Sequence, residues 1–206
     1  MIAIINYGVG NLFSLASSLR VLGLEAAVTA READLRDADR IILPGVGAFG
    51  DAAAKLRATG LVPVVRELAA EGKPLLGICL GMQLLFERGY EYGCHEGLGL
   101  IEGEVVPLAD EFCARGLRLK VPHIGWNSLE LKQPENPLMK YTKQGDFVYY
   151  VHSYYAVHCA KNTVATSEYG VDITGAVARG NVFGCQFHPE KSGKAGLRIL
   201  KAFSEV

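Results

Sequence analysis

The chain has 206 residues, half of them apolar and 21% charged, with a formal net charge of -1. That is enough material for one sizeable core, and it predicts one compact domain spanning residues 1–206. Acidic and basic side chains are spread along the sequence rather than gathered in runs, which excludes the electrostatic footprint of a nucleic-acid or lipid-surface binder and points to small-molecule chemistry.

The opening, "MIAIINYGVGN", has no secretory leader pattern, and no apolar run reaches the roughly 18 residues of a membrane helix, so a cytoplasmic protein is expected. "IAIINY" (2 to 7) is a short β-branched strand. In "NLFSLASSLRVLG", Leu12, Leu15, Leu19 and Leu22 recur three or four apart and predict a helix stopped by Gly23. "RIILPG" (40 to 45) predicts a second buried strand, and "DAAAKLRATG" a helix with Asp51 as its N-cap. "LVPVVRELAAEG" is a further amphipathic helix, and "PLLGIC" begins a new strand. Strands alternating with helices imply parallel pairing through right-handed crossovers. After residue 97 the segments "GLGLIEGEVVPL", "HIGWNSLEL", "DFVYYVHSYYA" and "ITGAVARGNVFGCQFHPE" are strand-like and separated by turns, which predicts hairpins. "GKAGLRILKAF", after Ser192 as N-cap, is a closing helix. The expected fold is α/β: a three-layer open mixed sheet with a mostly parallel core, antiparallel hairpin additions and helices on both faces.

Chemistry concentrates in "PLLGICLGMQLLFE", residues 74 to 87. Gly77-Ile78-Cys79-Leu80-Gly81 is the thiol version of a nucleophile elbow, in which glycines leave room for a strand-to-helix turn too sharp for bulkier neighbours. Such a turn lifts the sulfur above the sheet edge, favours the thiolate and makes the Leu80 N–H an oxyanion donor. The competing reading is a structural cysteine that happens to lie between two glycines.

A thiol nucleophile needs a base, and the base needs an orienting group. Of the five histidines, only His188 has a carboxylate two residues on, in "CQFHPE". In an extended segment, His188 and Glu190 would share a face. Taken alone, the tripeptide is weak and reads better as a solvated strand end than as part of a site. "LPGVGAFGD" (43 to 51) supplies a glycine-rich turn after a strand. Its Gly45-x-Gly47-x-x-Gly50 matches a dinucleotide fingerprint in form, but not in position, so an oxyanion strand from Gly45 through Val46 to Gly47 is the better use. The five cysteines (Cys79, Cys94, Cys113, Cys159, Cys185) are odd in number and lack CxxC spacing, which argues against a disulfide framework and against a metal site.

With "PGVG", "GICLGMQ" and "HPE" in this order, the chain resembles a class I glutamine amidotransferase domain along nearly its whole length. More narrowly, "NYGVGNLFSL", "LPGVGAFGDA", "PHIGWN" and "YYVHSYYA" look like the glutaminase subunits of imidazole glycerol phosphate synthases. The weakest matches, 109 to 121 and 132 to 145, read as surface loops. The resemblance makes Cys79 the nucleophile, His188 the general base and acid, and Glu190 its orienter. It places glutamine against Gln83, the backbone at Gly47 and Leu80, and the segment His152, Ser153, Tyr154. It implies no metal or cofactor. It also implies a heterodimer with a cyclase subunit built as a (β/α)8 barrel, which receives ammonia to make imidazole glycerol phosphate, with Asn11 and Lys191 as expected contacts. A different synthase partner, of the pyridoxal phosphate or anthranilate type, keeps the same triad. A non-catalytic nucleotide-binding α/β module remains the reading from another class.

Overall fold

The computed structural model describes residues 1–206. The first half alternates as its apolar spacing predicts: β1 (Ile2–Ile5), α1 (Leu12–Val21), β2 (Ala26–Thr29), α2 (Glu32–Asp37), β3 (Arg40–Leu43), α3 (Phe49–Ala58), α4 (Leu61–Ala70), β4 (Leu75–Ile78) and the single-turn α5 (Leu80–Gln83). The second half is strand-rich. It runs through β5 (Arg88–Gly89), β6 (His95–Glu96), β7 (Glu104–Pro107), α6 (Leu108–Ala114), β8 (His123–Ser128), β9 (Glu130–Leu131), β10 (Phe147–His152) and β11 (Tyr154–Val157). It ends with β12 (Thr163–Glu168), β13 (Asp172–Arg179), β14 (Val182–Cys185) and α7 (Gly193–Ser204).

The main sheet has eight strands in the order β2-β1-β3-β4-β14-β13-β12-β9. The first five run parallel; β13, β12 and β9 are added antiparallel. The remaining strands form an antiparallel pair, β10-β8, and a four-stranded sheet, β11-β7-β5-β6. Pleating divides the core in two. Ala3, Ile5, Ile41, Leu43 and Leu75 join a cluster with α3 and α4, whereas Ile4, Ile42, Leu76 and Ile78 join one with α1 and α7. On α4, Leu61, Val64, Val65 and Leu68 recur on one buried stripe. Each such side chain contributes about 1.5–3 kcal/mol when fully buried, so the stripe fixes the helix far more firmly than propensity does.

Four sequence expectations change. A strand, β2, precedes "RIIL" and lies at the sheet edge, where its half-exposed "AAVT" lacks the apolar run that marks a central strand. Asp51 lies inside the first turn of α3 rather than at its N-cap, which is Ala48; the Glu91 carboxylate accepts from the Phe49 N–H instead, at 2.7 Å. Ser192 occupies the N-cap position of α7 but makes no side-chain cap bond. Its hydroxyl donates to the His188 carbonyl (2.6 Å) and accepts from the Tyr149 N–H (2.9 Å). Part of 109 to 121 is helical, because Leu108 and Phe112, one turn apart, are buried in the α1/α7 core.

The site follows from the parallel core. β3, β4 and β14 all run the same way, so the Pro44–Gly47 turn, Cys79 and His188 leave the sheet at its carboxyl edge, where open α/β sheets bind ligands.

Candidate active site

Cys79 joins β4 to α5 at φ 54°, in the left-handed region that L-residues other than glycine seldom occupy. The sequence makes this turn possible by leaving out side chains. A Cβ at Gly77 would lie 2.6 Å from the Gly81 carbonyl oxygen, and one at Gly81 would lie 1.9 Å from that of Leu43. Gly45 is equally constrained, with a Cβ there falling 2.6 Å from the Gly81 N–H nitrogen. The thiol is thus held among β4, α5 and the turn after β3. Because α5 is only one turn long, it offers free N–H groups rather than a developed helix dipole.

His188 reaches Cys79 from the neighbouring strand, because β14 pairs with β4 in parallel. Its Nδ1 lies 2.8 Å from Glu190 Oε1, and both side chains are 2% exposed. The pairing arises differently from the expected one. Residues Pro189–Lys191 form a 3-10 turn in place of an extended strand; Pro189 supplies the φ that starts it, and the Lys191 N–H donates to the His188 carbonyl at 3.0 Å. Burial drives the His188 pKa down, but hydrogen bonding and charge from Cys79 and Glu190 outweigh it and push it up to about 10. Glu190 Oε2 is buried with no hydrogen-bond partner, a position a carboxylate tolerates only beside a cation. Asn11 Nδ2 donates to Glu190 Oε1 at 3.3 Å, so Asn11, expected at the partner contact, also has a partner inside the chain.

A cleft of about 380 Å³ opens over the thiol, within the range of about 300–1,000 Å³ usual for small-molecule sites. Val46, Gly47, Leu80 and Gln83 line it with Cys79 and His188, as do His152, Ser153, Tyr154 and Lys191. Gly45 does not: it packs behind, beneath Gly81 and the Tyr7 hydroxyl. As the first residue of α5, Leu80 has an N–H with no intrahelical carbonyl to meet. Gln83 uses both hydrogens of its amide nitrogen, on the Tyr154 carbonyl (3.1 Å) and on Gln186 Oε1 (3.0 Å), which leaves its own oxygen as an acceptor.

Three neighbours of the cleft carry no motif in the sequence analysis. Tyr7 is buried and donates to the Pro44 carbonyl at 2.7 Å, pinning the glycine turn; burial, then the charge of Cys79, raises its phenol above the ordinary tyrosine range, so it stays a donor. Gln186, fully buried, places Nε2 3.8 Å from Cys79 Sγ. Its signal was present, since Gln186 and His188 are two apart in an extended run. Glu91 lines the cleft from a loop that carries no motif.

The family model for "Glutamine amidotransferase class-I" matches residues 3–205. The chain belongs to that family. Among individual relatives, the imidazole glycerol phosphate synthase subunit HisH of Caldanaerobacter subterraneus is 47% identical over 100% of this chain and 98% of that protein. Those of Wolinella succinogenes and Bacillus cereus are 48% and 50% identical, over 100% of this chain and 100% and 95% of their own lengths. Solved amidotransferase folds superpose closely. A glutamine amidotransferase crystal structure has a TM-score of 0.76 at 21% identity, covering 100% of this chain and 98% of that one. The structure of PurLQS from Thermotoga maritima has a TM-score of 0.77 at 21% identity, covering 99% and 97%. At that identity the superposition speaks for the fold of an amidotransferase domain, and the HisH relatives carry the narrower likeness.

Proposed function

We infer that this chain is the glutaminase subunit of an imidazole glycerol phosphate synthase, releasing ammonia from glutamine for histidine biosynthesis. The observation that carries the chemistry is the left-handed Cys79 at the β4–α5 turn, facing a buried His188–Glu190 pair. The Cys79 thiolate attacks the side-chain amide carbon of glutamine, and negative charge builds on the amide oxygen. N–H groups of the Val46–Gly47 turn and of Leu80 lie around the same cleft and are suited to receive that charge. His188, as imidazolium, gives its proton to the amide nitrogen; the carbon–nitrogen bond then breaks, ammonia departs and the acyl group remains on Cys79 as a thioester. A water molecule, deprotonated by His188, then cleaves the thioester to glutamate and restores the thiolate. Glu190 holds the imidazole tautomer and its charge through both steps. Gln83, with its free acceptor oxygen, together with His152, Ser153 and Tyr154, binds the rest of the substrate.

Ammonia is mostly protonated and non-nucleophilic near neutral pH, so a second site must receive it directly. The partner we assign is a cyclase subunit with a (β/α)8 barrel. Its docking face is the outward side of the β8–β10 ribbon, where Ile124, Trp126 and Phe147 are each more than half exposed. That ribbon also contributes Val151 and His152 to the cleft, and Lys191 lies at the same opening. Asn11 and Lys191 are the polar contacts we expect there. Residues 1–206 act as one domain, since a single sheet draws strands from both ends of the chain. The setting is the cytoplasm, in keeping with a biosynthetic enzyme in which no helix is long and apolar enough to cross a membrane.

The decisive experiment measures glutamate release from glutamine with and without candidate synthase partners. Release stimulated by the cyclase alone supports the assignment, and stimulation by a different synthase overturns it. In the partnered complex, Cys79→Ala abolishes glutamine-dependent synthesis and spares synthesis from added ammonium salts; loss of both would make Cys79 structural. A glutamine-shaped electrophile such as diazo-oxo-norleucine is expected on Cys79 alone, although Cys94 and Cys113 are the exposed thiols.

A further inference from the structure

A buried chain of hydrogen bonds ends at the cleft wall, and its direction is fixed by its two ends. His152 Nδ1 lies 2.8 Å from the Tyr154 carbonyl, which can only accept, so Nδ1 carries the hydrogen. His152 Nε2 is then the acceptor for His123 Nδ1, 2.9 Å away. His123 Nε2 in turn faces Asn127 Nδ2 at 3.3 Å, and that amide is oriented independently: its oxygen accepts from the Ser128 N–H and its nitrogen donates to the Glu168 carbonyl. An added proton on either imidazole would set donor against donor, so the chain stays intact only with both rings neutral.

The residues are placed for this by the ribbon's register. His123 and His152 are directly opposed across β8 and β10, and the His123 ring is stacked between Tyr150 (centroids 4.8 Å) and Tyr169 (4.1 Å). The Tyr154 carbonyl at the end of the chain is the same atom that accepts from Gln83 Nε2. Gln83 continues through Gln186 to the Cys79 sulfur.

We propose that His123, which does not touch the cleft, is a positioning residue for glutamine binding: it holds His152 as the Nδ1–H tautomer, so that the Tyr154 carbonyl stays clamped and the Gln83 amide oxygen stays turned to the substrate. This rests on the glutaminase reading for its substrate, but the tautomer it specifies does not depend on that reading. Without His123, His152 Nε2 loses its donor, the ring is free to move its hydrogen to Nε2, and the carbonyl keeps only the Gln83 contact.

The test compares His123→Phe, which keeps a ring between the two tyrosines and removes both nitrogens, with His123→Gln, which restores one donor and one acceptor. In the full chain with its synthase partner, His123→Phe is expected to raise KM for glutamine about fivefold to tenfold, the size of one lost neutral hydrogen bond, with kcat changing less. His123→Gln is expected to recover most of that loss. Nitrogen-15 NMR of the histidines reads the tautomer directly: Nδ1–H at His152 in the natural chain, lost in His123→Phe. An unchanged KM in His123→Phe, equal damage from both variants, or an Nε2–H tautomer in the natural chain overturns the proposal. If the natural chain releases no glutamate, the function assignment fails, and the NMR comparison still decides the positioning claim.

Discussion

The pKa of His188 carries a consequence for stability that can be signed in advance. Its folded value, pushed up to about 10 by Cys79 and Glu190 against the downward pull of burial, exceeds the 6.5 of a free imidazole. The pair's contribution is therefore complete below about pH 6.5 and drains away as pH rises toward 10. Urea denaturation of the natural chain should show falling stability across that window, and His188→Asn should show a flatter profile; parallel profiles would refute the ion pair. Glu190→Gln removes the orienting charge and should lower kcat by about 10²–10⁴-fold, while glutamine binding, read by KM, changes little. How far these residues were legible differs from case to case. Cys79 was readable because two glycines at fixed spacing state a backbone geometry. His188 and Glu190 were readable as a pair, but for a mistaken reason, since a 3-10 turn rather than a strand brings them together. Tyr7 is illegible in sequence because a buried hydroxyl acquires a role only from what folds against it, whereas Gln186, two residues before His188, carries a spacing signal that lies outside the motifs.

The turn between β4 and α5 shows how little latitude an element keeps once its backbones touch. Gly81→Ala puts a methyl group 1.9 Å from the Leu43 carbonyl oxygen, so it should cost about 3 kcal/mol or more, beyond the ordinary overpacking range. Gly47→Ala meets no atom within 4 Å, and its cost is limited to the strain of φ +97°, about 1–2 kcal/mol. Thermal denaturation of the two variants should rank them in that order. The β8–β10 ribbon predicts an opposite pH response. Burial holds His123 at about 4, and burial holds His152 at about 3, the latter helped by nearby His123 and His188 and resisted by the bond to Tyr154. Both values lie below the unfolded 6.5, so the neutral rings contribute fully above that pH, and their contribution is lost as pH falls from 6.5 toward 3. His123→Phe should lessen this acid sensitivity as measured by urea midpoints. The ribbon's two strands were predicted from the strand-like segments "HIGWNSLEL" and "DFVYYVHSYYA", separated by turns. That the ribbon would stand outside the main sheet was not, because pairing partners far apart in sequence leave no local trace.

Strand order, more than any one motif, decides where the cleft lies and which apolar face stands beside it. The β8–β10 ribbon turns His123 and Asn127 inward and Ile124 and Trp126 outward, so the cleft wall and the exposed apolar face share one pair of strands. Trp126→Asp should leave the stability of the isolated chain within about 0.5 kcal/mol, since the side chain is 56% exposed. If the proposed cyclase partner docks on this face, its affinity should fall at least about tenfold, as for a central aromatic anchor, when measured by titration calorimetry. An unchanged affinity would move the docking face elsewhere.

The pairing of β14 with β4 has one more implication, and it concerns time rather than space. Cys79, the proposed nucleophile, is synthesised more than a hundred residues before His188, its proposed base, and β14 is the last strand of the parallel core in chain order. On the proposed mechanism, a chain still on the ribosome holds its sulfur unarmed, and amide cleavage waits until translation has passed the "HPE" segment. Stalled nascent chains ending before residue 182 should resist the glutamine-shaped electrophile that full-length protein accepts at Cys79.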